Sequence, residues 1–186
     1  AKALLAEAGF PDGFKTKIYY RDVFRTYLPE PSTIAVEFQS QLKANLGSDA
    51  EVAPMEWGEF IGQATSGKLD GFYLLGWGAD YPHITNFLDY HFGKDTQQFG
   101  ASLPEIYEPL AKGSSIADAE EAKPIYEAAN NAIREMVPMV PISHAAAGSA
   151  ARAYVKTAGY RPFGAKQFSL ADPGKDTMVV MQNAEP

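Results

Sequence analysis

Leu69-Asp70-Gly71-Phe72-Tyr73-Leu74-Leu75-Gly76-Trp77-Gly78-Ala79-Asp80-Tyr81-Pro82 decides how this chain is read. Phe72 to Trp77 carries no charge and no polar alternation, and the run halts among Gly78, Asp80 and Pro82. Such a run predicts a strand covered on both faces, as in the parallel sheet of an α/β domain. In open α/β sheets ligands sit beyond the carboxyl ends of the strands, and that is where Asp80 falls if the strand ends at Trp77.

Upstream of this run the pattern alternates between helix and strand. Ala1 to Phe10 reads as a helix already under way, stopped by Gly9, and with no initiator Met it predicts a segment cut from a longer protein. Phe14 to Tyr20 alternates as a strand should, with Phe14, Thr16, Ile18 and Tyr20 on one face. Pro29 and Pro31 break the chain, and Ser32 is the expected N-cap of a helix carrying Ile34, Phe38, Leu42 and Leu46, closed by Gly47. Glu51 to Met55 reads as a short strand. Trp57, Phe60, Ile61 and Ala64 then fall at helical spacing before Gly67. Helix, strand, helix, strand, helix, strand predicts a layered α/β domain with right-handed crossovers.

Downstream, Ile84 to Phe92 reads as helix or loop, and Leu103 to Lys112 as a short helix starting near Pro104. Asp118 and Glu121 have the spacing of a capping box, but Pro124 inside a helix is costly, so the expected start is near Pro124. Ile125, Tyr126, Ala129, Ile133, Met136 and Val137 form its apolar stripe. Pro138 and Pro141 make Val137 to Ser143 extended, as an edge strand or crossover, and Thr177 to Met181 reads as one more strand.

Composition narrows the function. The 186 residues are 46% hydrophobic, enough for a core, and 16 Lys and Arg against 23 Asp and Glu leave a net charge of -7 without a basic cluster. That excludes the basic face nucleic-acid phosphates require. With no cysteine there is no disulfide, thiol nucleophile or thiolate metal site. No apolar run reaches the ~20 residues of a membrane span.

Asp80, flanked by Gly78 and Tyr81, is placed to act as counter-ion to a ligand ammonium group. Its alternative is a turn aspartate bonding its own backbone before Pro82. Trp77, Tyr81 and Trp57 are candidates for an aromatic pocket wall, although core packing is the commoner fate of aromatics in such domains. His83, His91 and His144 match no zinc spacing, so no metal is expected. Gly76-Trp77-Gly78 lacks the third glycine of a dinucleotide fingerprint, and Ser143-His144 lacks a nucleophile elbow. No cofactor is implied. The glutamates from Glu105 to Glu127 read as a solvated helical face.

Three segments, AKALLAEAGFPDGF (1–14), MEWGEFIGQATSGKLDGFYLLGWGADYPHITNFLDYHFG (55–93) and MVPMVPISH (136–144), together resemble the carboxyl-terminal lobe of the family 5 extracellular solute-binding proteins, the dipeptide and oligopeptide receptors of ABC importers. The resemblance implies a periplasmic-binding-protein-like (type II) α/β lobe, a layered sheet with helices on both faces, spanning residues 1–163. Residues 164–186 would form a tail returning toward the missing amino-terminal lobe. It also implies a receptor that is not an enzyme, lies outside the cytoplasm (in the periplasm or on the outer face of the membrane), closes on a small peptide or related solute by hinge motion, and delivers it to permease subunits. In peptide-binding members the aspartate of a Trp-x-x-Asp segment holds the peptide ammonium group; the matching residues are Trp77 and Asp80. Many members then carry Asp-Pro or Glu-Pro where this chain reads Pro82-His83-Ile84-Thr85-Asn86-Phe87, a departure that bears on ligand choice. Other members take nickel chelates, sugars, glutathione or opines. Residues 176–186 resemble the strand that opens the mature family protein, which implies a rearranged segment order or a second copy. Two rival functions are a sensor module on the same fold and an α/β enzyme using His144 or Asp80.

Overall fold

The structure is a computed structural model that describes residues 1–144, 150–156, 170–177 and 179. Three parallel strands, β1 (Lys15–Arg21), β2 (Asp49–Met55) and β3 (Phe72–Tyr73), form a sheet in the order β2-β1-β3. Ile18 stands level with Val52 on one side and Phe72 on the other, so β1 is central. Helix α1 (Lys2–Glu7) precedes the sheet and buries none of its residues.

Alternation along β1 divides the sheet into two faces. Ile18 and Tyr20 join Ala50 and Leu74 beneath α2 (Pro31–Leu46), which contributes Ala35, Ile34, Phe38 and Leu42. The opposite face carries Lys17, Tyr19 and Arg21. There α3 (Trp57–Thr65) sets the fully buried Phe60 edge-on to Tyr73, ring centroids 6.2 Å apart. Helices therefore cover both faces of the layered sheet.

A second core lies outside the sheet. Helices α4 (Thr85–Phe92), α5 (Pro104–Gly113) and α6 (Ala119–Met136) bury Leu88, Phe92, Ile106, Leu110, Ala122, Tyr126 and Ala129 against one another. Phe99 stacks on Phe92 at 4.7 Å. The layered α/β domain expected from the sequence has a three-stranded α/β layer joined to a three-helix unit. The Tyr73 hydroxyl, donating to the Gln98 carbonyl at 3.1 Å, ties the two together.

Several expectations need correction. The run Phe72 to Trp77 is not a strand buried on both faces: β3 stops at Tyr73, and Phe72 is half-exposed. The reason is its position at the sheet edge, where only β1 offers partners. After Leu74 donates its N–H to the Tyr19 carbonyl (2.9 Å), the chain leaves the ladder. Helix α2 begins at Pro31, not after Ser32. Glu30 precedes it without a side-chain cap, and proline at the first helical position loses no hydrogen bond the helix would have made. Gly47, at φ +71°, ends α2 in the left-handed region as expected.

Helix α6 does not start near Pro124. Asp118 accepts the Glu121 N–H at 2.9 Å, the helix begins at Ala119, and Pro124 sits inside it. The cap outweighs the proline, whose missing N–H leaves the Glu120 carbonyl without its helical donor. Val137 to Ser143 is not extended throughout: Val137 closes α6 in the left-handed region (φ 50°, ψ 49°), and the segment pairs with no strand among the described residues; Val137, Met139, Val140 and Ile142 lie exposed. The strand expected over Thr177 to Met181, and most of the 164–186 tail, lie outside the described residues.

Candidate functional site

At the carboxyl end of the sheet, β1 ends in Arg21, β2 leads through Glu56 into Trp57, and β3 leads into the loop from Leu74 to Ile84. Glu56 caps α3 by accepting the N–H groups of Gly58 at 2.7 Å and Glu59 at 3.1 Å. This fixes Trp57, the first helical residue, with its indole over the Arg21 guanidinium carbon at 3.9 Å. Arg21 in turn donates to the Tyr27 hydroxyl at 2.9 Å. The Tyr27 ring presses on Gly76, where a Cβ would stand 2.1 Å from the ring. Trp57, Arg21, Tyr27 and Gly76 therefore form one continuous surface, joining the ends of all three strands to the loop that carries Trp77 and Asp80.

That loop is held from the far side by α4. The buried Asn86 amide oxygen accepts both the Trp77 indole N–H and the Asp80 backbone N–H, each at 3.1 Å. Trp77 stacks on Tyr90 at 4.0 Å and meets His91 edge-on at 5.0 Å. Burial pushes the His91 imidazole pKa down, an effect opposed by its contact with Gln98. With its backbone fixed, Asp80 leaves its carboxylate exposed and without a hydrogen-bond or ion-pair partner among the described residues. The turn-aspartate alternative, in which that carboxylate bonds its own backbone, is not what this geometry contains.

The other expected site residues separate. Gly78 is exposed, and nothing lies within 4 Å of where its Cβ would be, so packing does not demand a glycine there. Tyr81 is exposed and places its hydroxyl 3.1 Å from the Thr85 hydroxyl. Trp57, Trp77 and Tyr81 make no ring contact with one another, so they do not form a single aromatic wall; Trp77 packs on α4 instead. His83 bonds Thr85 at 2.9 Å, and no Asp or Glu oxygen hydrogen-bonds a histidine among the described residues. No group of His, Asp and Glu able to hold a metal forms among them either.

Sequence reasoning missed Arg21 and Asn86. Arg21 is hidden in the strand pattern as an ordinary outward-facing cation, and Asn86 as an ordinary first-turn residue. Only the burial of each polar side chain distinguishes them, and burial here depends on contacts distant along the chain.

An exposed, unpaired carboxylate thus stands on a loop whose backbone Asn86 holds, at the carboxyl edge of a parallel sheet. The family comparison agrees with this architecture: residues 1–99 match the bacterial extracellular solute-binding proteins, family 5 middle region. This chain belongs to that family. Among family 5 relatives, the di/tripeptide-binding protein 1 of Pseudomonas aeruginosa (strain UCBPP-PA14) is 29% identical over 94% of this chain and 33% of its own length. The haem-binding protein A of Haemophilus influenzae (strain ATCC 51907 / DSM 11121 / KW20 / Rd) is 28% identical over 90% of this chain and 31% of its own. The crystal structure of the dipeptide-binding protein from Pseudoalteromonas sp. SM9913 in complex with Met-Leu superposes with a TM-score of 0.74 at 33% identity, over 91% of this chain and 34% of that one. The chain thus spans about a third of the length of the relatives it matches. Family 5 is a family of extracellular solute-binding receptors, and no helix among the described residues is long and apolar enough to cross a membrane.

Proposed function

We propose that this chain is the carboxyl-terminal lobe, residues 1–163, of a peptide receptor outside the cytoplasm that hands its cargo to an ABC importer. The exposed, unpartnered Asp80 carboxylate on a backbone fixed by Asn86 carries the reading. An ammonium group enclosed between two lobes needs a partner charge, and removing one member of an enclosed pair costs ~3–5 kcal/mol. Asp80 supplies that charge. Gly78, free of any packing demand, lets a ligand approach the loop backbone closely, and Tyr81 with Trp57 offers apolar contact at the rim. No catalytic step is assigned to the site. The family members named as di/tripeptide- and dipeptide-binding proteins support peptides as the cargo.

One lobe offers half of the contacts, so its own affinity is weak while that of the full-length receptor is strong. The deciding experiment is calorimetry on the receptor extended to its relatives' length, using short peptides with free or acetylated amino termini. Free-amine peptides are expected to bind, and Asp80→Asn to weaken them while sparing the acetylated forms. Equal loss for both would remove the ammonium role.

A further inference from the structure

Helix α4 starts without a cap from the residue before it: Ile84 makes no side-chain hydrogen bond there. The acceptor comes from one residue further back. His83 Nδ1 takes the Thr85 backbone N–H at 3.3 Å and lies 2.9 Å from the Thr85 hydroxyl, which the Tyr81 hydroxyl approaches at 3.1 Å. A backbone N–H can only donate, so Nδ1 carries no proton and the ring is neutral, with its proton on Nε2. The His83 backbone holds the same turn together. Its N–H donates to the Tyr81 carbonyl at 2.9 Å, and its carbonyl accepts from the Asn86 N–H at 3.1 Å. Asn86 in turn holds Trp77 and the Asp80 backbone. Further along α4, Asp89 Oδ1 is buried with no hydrogen-bond partner among the described residues.

We propose that His83 is a proton-operated catch on the Asp80 loop, closed while its ring is neutral and opened when it is protonated and turns from Thr85 to Asp89. Imidazoles change charge between about pH 5 and 8, and this ring is exposed to solvent. A proton on Nδ1 sets two donors, Nδ1–H and the Thr85 N–H, against each other at the positive end of a helix. Asp89 offers the relief. Its charge and that of His83 act on each other, and both residues face the buried Tyr126, whose ring His83 meets edge-on at 5.9 Å. The titratable groups around His83 are thus Tyr81 on the loop, Asp89 on α4 and Tyr126 on α6; α5, which also packs on α4, brings no charge to bear on Asp89 among the described residues. Opening frees the turn from Tyr81 to Asn86 and leaves a cation three residues along the chain from Asp80. Both effects oppose capture of an ammonium group. That consequence for cargo rests on the receptor reading above.

Calorimetry on the full-length receptor with Ala-Ala, from about pH 8 to about pH 5, reads the catch. Wild-type affinity is expected to fall about fivefold on acidification, the size of a lost helix cap. The Ala-Ala amine gains protons over the same range, which works in the opposite direction. His83→Asn, whose amide oxygen can accept the Thr85 N–H at every pH, should bring the ratio between the two ends of the range close to one. Asp89→Asn removes the counter-charge and should move the midpoint of the fall to lower pH. Affinity that holds at about pH 5, a fall that persists in His83→Asn, or a midpoint unmoved in Asp89→Asn overturns the catch. Nuclear magnetic resonance on the 186-residue chain decides without cargo: the Asp80 and Asn86 backbone amides should titrate together with the His83 ring nitrogens, and stand still in His83→Asn. Amides that do not follow the ring overturn the catch. If they follow it while Ala-Ala binds at no pH, the catch stands and the receptor reading fails.

Discussion

Single residues set the geometry of the Asp80 loop, and Asn86 has the largest share. One buried amide oxygen holds both Trp77 and the Asp80 backbone, so Asn86→Ala leaves two donors without their acceptor. Each such loss costs about 1–3 kcal/mol where water cannot replace the partner. The expected outcome is a lower urea midpoint together with weaker peptide binding, whereas Asp80→Asn should weaken binding at unchanged stability. Gly76→Ala tests the opposite side of the loop: its Cβ would meet the Tyr27 ring, an overpacking worth ~1–3 kcal/mol, again readable by urea unfolding. Asp80 and Trp77 were legible in the sequence because a carboxylate and an aromatic interrupt an uncharged run. Arg21 and Asn86 were not, because nothing local marks an Arg at the end of an alternating strand, or an Asn at the start of a helix, as buried.

Elements formed where local signals and tertiary partners agreed. The strands β1 and β2 and the helices α3 and α5 follow from alternation, helical spacing and turn residues, with the expected bounds shifted by a residue or two. Where two local signals competed, nothing local ranked them. Asp118 with Glu121 argued for a start at Ala119, Pro124 argued for a later one, and the capped start prevails because the long apolar stripe packing on α5 stabilises the whole helix. Pro124→Ala should therefore restore a hydrogen bond to the Glu120 carbonyl and raise the melting temperature, leaving peptide affinity unchanged. β3 failed as an expected six-residue strand for a different reason: it has β1 alone as a neighbour, and after Leu74 donates to the Tyr19 carbonyl the chain turns away although β1 runs on to Arg21.

At the scale of the whole molecule, two cores share one connecting loop, and that loop is the one carrying Asp80. Stability and binding should be coupled through α4, where burial pushes the Asp89 carboxyl pKa up and the His91 imidazole pKa down. The signs differ in consequence. His91 takes up a proton more readily unfolded than folded, so its contribution is complete above its ordinary value of ~6.5 and is lost as pH falls below it. Asp89 holds its proton more tightly folded than unfolded, so its ionisation weakens the fold as pH rises through the folded value, and the full penalty is present at neutral pH. Urea unfolding should show lower stability at about pH 5.5 than at about pH 7.5, with His91→Gln flattening the difference and Asp89→Asn stabilising at neutral pH. The exposed segment from Val137 to Ile142 carries a further consequence for the molecule in a crowded solution. An exposed apolar run whose backbone can straighten and pair is a template for strand addition between copies and for fibre growth. Pro138 and Pro141 carry no N–H and so remove two donors from the run, which lowers the tendency of the exposed Val137, Met139, Val140 and Ile142 to pair with a second chain.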